Sequence, residues 1–94
     1  MNQYEAIIII DSELAEDART SLIERFKNMI DSAGQLGKID EWGDRKLAYP
    51  INDKTDGYYL LVNFSAPPDF PSELERVLKI TDGILKFLII RKDD

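Results

Sequence analysis

The stretch "WGDRKLAYPI", Trp42 to Ile51, decides how this chain is put together. From Leu36 to Ala48 the sequence reads as extended, and Gly43 interrupts it, which predicts a bulge or bend. "PINDKTDG" (50–57) follows as a loop, and the apolar run Tyr58 to Ser65 reads as another strand. Two strands therefore stand back to back in the middle of the chain with no helix between them.

Working outward, "YEAIIII" (4–10) is apolar and rich in β-branched residues, a strand over about 3–10 that ends at Asp11-Ser12. Leu22, Phe26, Met29, Ile30 and Ala33 recur at helical spacing and predict a helix over roughly 15–33. Acids crowd its first turns, where the helix dipole favours them, and Gly34 reads as its C-terminal cap. On the other side, "APPDFP" breaks the chain, and Pro71 suits the start of a helix whose apolar face is Leu74, Val77 and Leu78. Asp82-Gly83 is a turn, and "ILKFLIIR" (84–91) is the last strand.

The element order is β-α-β-β-α-β. It predicts an α+β, ferredoxin-like sandwich, with a four-stranded antiparallel sheet and two helices on one face. Right-handed crossovers place the strands in the order 4-1-3-2, with the second and fourth strands at the edges. The length of 94 residues fits a single domain over 1–94.

Side chains alternate along a strand. Tyr4, Ala6, Ile8 and Ile10, then Leu60, Val62 and Phe64, then Leu85, Phe87 and Ile89 are assigned to the helices. The opposite face then carries Ile7, Ile9, Tyr59, Leu61, Leu88 and Ile90. With no helix over it, this set makes an apolar patch of a size that marks a docking surface for another protein. A slip in the alternation, or coverage by the long loop and the tails, would remove the patch.

Composition narrows the chemistry. There is no Cys and no His, so the chain has no thiolate metal site, no Cys nucleophile and no imidazole base. We expect no enzyme, no cofactor and no small-molecule substrate. The acid pairs Glu16-Asp17 and Asp40-Glu41 read as solvated charge rather than metal ligands. The loop after the first strand, Asp11-Ser12-Glu13, would repel an anion, and no Gly-rich phosphate cradle occurs. Ala6–Ile10 is too short to span a bilayer, and no signal peptide is recognisable, so a cytoplasmic protein is expected.

The net charge is −6, which by itself disfavours nucleic acid. The charges are uneven, however: Arg76 to Lys92 holds five bases and one acid. An RNA-recognition module shares this topology, and "DGYYLLVNF" (56–64) is similar to its third-strand motif. Asp56 stands where that motif has a cation, and the open face is mainly aliphatic, which suits a protein better than a stacked base.

"YE" (4–5), "WGDRKLAYPI" (42–51), "GYY" (57–59) and "LKITDGILKFLIIR" (78–91) resemble the bacterial small-subunit ribosomal protein S6 family, nearly end to end. The resemblance implies a non-catalytic, ribosome-associated protein that binds the central domain of small-subunit ribosomal RNA with ribosomal protein S18. Lys86, Arg91 and Lys92 would then neutralise phosphate, and S18 would dock on the open face. Arg45 and Lys46 have two readings. They contact RNA, or they guard an edge strand against pairing with other chains. Where family members often carry cations after the initiator Met, this chain has Asn2 and Gln3. Many also have a longer tail than one stopping at Asp93-Asp94. The competing reading is a free-standing ferredoxin-like regulatory domain that self-associates through the same face.

Overall fold

A computed structural model describes residues 1–51 and 53–92. Its elements run β1 (Asn2–Asp11), α1 (Glu16–Ala33), β2 (Gln35–Ile51), β3 (Lys54–Ala66), α2 (Phe70–Ile80) and β4 (Ile84–Arg91). The strands form one antiparallel sheet in the order β2-β3-β1-β4, as the crossover argument expects.

The helices cover one face. Ile23, Phe26 and Ile30 of α1 and Phe70, Leu74 and Leu78 of α2 pack on Tyr4, Ala6, Ile8 and Ile10 of β1 and Leu60, Val62, Phe64 and Ala66 of β3. Phe64 ties the layers together: it stacks on Tyr4 at 5.5 Å and meets Phe70 edge-on at 5.9 Å. Each fully buried Val, Ile, Leu or Phe among them contributes about 1.5–3 kcal/mol by leaving water.

Four local readings change. Gly34 does end α1, but with φ −157° rather than a left-handed turn. It is needed because a Cβ there would collide with the Ser65 carbonyl oxygen of β3. On β4, Ile84 packs against the core in place of Leu85, because the β1–β4 register slips between Ile9 and Ile10. The alternation is interrupted there by one residue. Ile23, absent from the helical apolar set, is buried in α1.

The segment 50–57 is largely strand rather than loop. β2 and β3 stay paired as far as Ile51–Lys54, and the chain reverses at Asp53, φ 65°. Asn52 lies outside the described residues.

Candidate functional site

On the sheet face without helices, the register sets out rows across the strands. Tyr59, Ile9 and Lys86 form one, Asp40, Leu61, Ile7 and Leu88 the next, and Asn63, Glu5 and Ile90 a third. Five of the six residues expected on this surface are there with at least partial exposure; Leu88 and Ile90 are 53% and 40% exposed.

Ile9 is the correction. It is only 8% exposed, because the far half of β2 folds over it. β2 bulges at Gly43, where φ is +81°, and its register with β3 shifts again beyond Lys46. These breaks bend the β2–β3 hairpin into an arm lying across the sheet. Leu47 is buried under it, and Gly57 makes room: a Cβ there would strike Ile9 Cγ2 and lie 3.2 Å from Leu47 Cδ2. The arm reaches β4, where Lys86 Nζ donates to the Tyr49 hydroxyl at 3.2 Å and sits 5.6 Å from the ring centroid. Tyr49 thereby links two elements 37 residues apart.

At the base of the arm, Trp42 stacks on Tyr59 at 6.3 Å, and the Arg45 guanidinium lies 5.4 Å from the Trp42 ring centroid. Trp42 remains 44% exposed and enlarges the apolar surface. Sequence alternation missed it because the bulge after Glu41 changes the parity of the strand.

The cations do not form one patch. Lys86 and Lys92 flank the open face, but Arg91 pairs with Tyr4 across β1–β4 and so belongs to the helix side, where its guanidinium donates to Asn2 Oδ1 at 3.3 Å. Lys92 lies 3.5 Å from Glu5 Oε2. Arg76 and Lys79 are matched by Glu73 and Glu75. The hydrogen bond from Arg76 holds the Glu73 carboxyl below its ordinary range. Within 76–92, Arg76, Lys79 and Lys92 thus each face a carboxylate of this chain. Arg45 and Lys46 stand on the outer strand β2, which among the described residues pairs in the sheet with β3 alone. Lys46 makes no ion pair among the described residues.

On the helix side of the same hairpin, the Tyr58 hydroxyl donates to Glu41 Oε1 at 2.7 Å. That hydrogen bond first, and burial second, raises the Tyr58 phenol above its ordinary value, while Arg19, 4.2 Å from the ring centroid, pulls it down. Among the described residues no cluster of three or more acids is placed to hold a metal ion, and no helix is long and apolar enough to cross a membrane.

The family profile "Ribosomal protein S6" matches residues 3–91. The chain is 54% identical over 95 aligned positions to "Small ribosomal subunit protein bS6" of Caldanaerobacter subterraneus, with all of both chains covered. It is 47% identical to the protein of that name in Clostridium novyi, covering 99% of each. The crystal structure of 30S ribosomal protein S6 from Thermotoga maritima superposes with a TM-score of 0.91 at 30% identity, covering 97% of this chain and 87% of that one. With the profile matched almost from end to end and the same sandwich in the solved relative, this chain belongs to the ribosomal protein S6 family of the small subunit, a ribosomal component and not an enzyme.

Proposed function

We propose that this chain, acting in the cytoplasm as one domain over 1–94, binds the central domain of small-subunit ribosomal RNA together with ribosomal protein S18. The observation that carries the reading is the bare strip Ile7, Leu61, Leu88 and Ile90 on the sheet, with Lys86 and Lys92 at its two ends. Apolar side chains of this kind gain most from a protein partner, and cations at the rim of that contact can face phosphate. S18 docks on the strip, with Tyr59 and Trp42 at its margin. Lys86, Lys92 and, from the other side of β4, Arg91 neutralise phosphate. Arg45 and Lys46 extend this contact along β2 or guard its edge. Ile9 stays out of the contact while the arm is closed over it. Phosphate contacts position the complex, and the folded shape of the RNA supplies specificity.

The test is a gel-shift titration of a central-domain transcript with the chain, with S18 and with both. The expected result is a ternary complex much tighter than either binary one. A stable homodimer that ignores both S18 and the transcript would overturn the reading in favour of a self-associating regulatory domain.

A further inference from the structure

At the end of the sheet away from the hairpin, the open face sinks into a groove of about 630 Å³. Its polar lining is Gln3 of β1, Gln35 of β2, Asn63 and Ser65 of β3, and Lys92 just after β4. Ser65 is paired with Gln3 on one side and Gln35 on the other, so these three form one row across three strands. Asn63 belongs to the next row. The Lys92 backbone N–H donates to the Gln3 carbonyl at 2.7 Å, which fixes that residue against β1. The β2–β3 register is broken between Leu36 and Ile39 beside the groove, and the wall there is Gly37. A Cβ at Gly37 would lie 2.7 Å from the Asn63 carbonyl oxygen, so any side chain would crowd this end.

Among the described residues, the side chains of Gln3, Gln35, Asn63 and Ser65 make no hydrogen bond within the chain. Three carboxamides and a hydroxyl thus gather in one concavity with donors and acceptors uncommitted. Everywhere else on this face the lining is aliphatic, aromatic or charged. We infer that this groove holds an unpaired adenine of single-stranded RNA, with Lys92 on its phosphate. A carboxamide presents an N–H donor beside a carbonyl acceptor, which matches the amino donor and ring-nitrogen acceptor of adenine. Guanine pairs two acceptors and calls for a cationic fork; among the described residues the one cation lining the groove is Lys92, a point charge with Glu5 3.5 Å away. RNA bases become legible to such side chains where they are unstacked.

The inference rests on the RNA-binding reading above and adds a base-reading site to it. The full chain, labelled with nitrogen-15, is titrated with oligoadenylate and oligouridylate hexamers while the backbone and side-chain amide resonances are followed. The expected result is saturable shifts of Gln3, Gln35 and Asn63, with about tenfold lower concentrations needed for the adenylate. The double variant Gln35→Ala, Asn63→Ala should lose that preference and keep its melting temperature. Equal titration by both hexamers, or shifts confined to Arg45, Lys46 and Lys86, would overturn the groove. If the groove resonances stay still while the ternary complex with the transcript and S18 forms at wild-type affinity in the double variant, the groove inference falls and the RNA-binding reading stands. If neither the hexamers nor the transcript binds, both fall.

Discussion

β2 and β4 both border the sheet, but β2 runs for 17 residues and β4 for eight. Each presents unpaired backbone groups along its outer side, where another strand could add. β2 breaks register with β3 in three places, takes a left-handed residue at Gly43, carries Arg45 and Lys46, and holds Pro50 near its tip. Its far half leaves the plane of the sheet to cover Ile9. β4 has one slip near its start and then runs regularly with Leu88 and Ile90 exposed. A long edge is tolerable when it is bent and charged. A short edge can stay regular and apolar, and the side chains it exposes are then available to a chosen partner.

The change expected to act most strongly breaks the β4 side of this comparison. Leu88→Asp puts a charge in the centre of the proposed S18-docking strip, where burial without a partner costs about 3–5 kcal/mol. Affinity for S18, read by calorimetry, should fall by two orders of magnitude or more. The melting temperature should barely move, since Leu88 is exposed in the free chain. Unchanged affinity would remove β4 as the docking edge.

Gly57→Ala tests the other edge. Its Cβ must displace Ile9 or Leu47 under the arm, an overpacking cost of about 1–3 kcal/mol. For a chain of this size each kcal/mol lowers the melting temperature by roughly 4–8 °C. A variant as stable as the parent would mean that the arm does not pack on the sheet in solution.

A smaller effect sharpens the question of Arg45 and Lys46. Arg45→Met with Lys46→Val removes both charges, and with them the Arg45 contact to Trp42, and raises strand propensity. If the pair guards the edge, light scattering on the free protein should show self-association that grows with concentration. If the pair meets phosphate, the variant stays monomeric and the log-affinity against log-salt plot for RNA flattens by up to about two units. A monomer with the parental slope would defeat both readings.

The smallest expected effect concerns Tyr58, on the helix side of β3. Its phenol is raised above its unfolded value of about 10 by the hydrogen bond to Glu41. The contribution of that bond is fully present below about pH 10 and is lost as pH rises through the folded value. Tyr58→Phe should flatten this alkaline fall in chemical-denaturation curves and leave S18 affinity unchanged. Equal alkaline slopes in parent and variant would show that the Glu41 contact does not persist in solution.

The period of apolar residues made much of this legible in advance. Alternation in "YEAIIII" and "YYLLVNF" placed Tyr4, Ala6, Ile8, Ile10, Leu60, Val62 and Phe64 under the helices, because a strand buried on one face must repeat every two residues. The element order then left one sheet topology, and the resemblance of "WGDRKLAYPI" to the family pattern pointed to the ribosome. The sequence reading grouped Lys86 with Arg91, although the same alternation puts residues five apart on opposite faces, as the β1–β4 register shows.

Tertiary structure alone decided the rest. Each β-bulge shifts the parity of everything beyond it, and no periodic pattern announces where a bulge falls, apart from Gly43. That is why Trp42 joins the open face and Ile84 replaces Leu85 in the core. The burial of Ile9 by Leu47, the reach of Tyr49 to Lys86 and the gathering of Gln3, Gln35, Asn63 and Ser65 in one groove all depend on how strands distant in sequence are aligned and bent. Those alignments are fixed by side-chain packing and backbone pairing across the whole sheet, so no local stretch of sequence contains them.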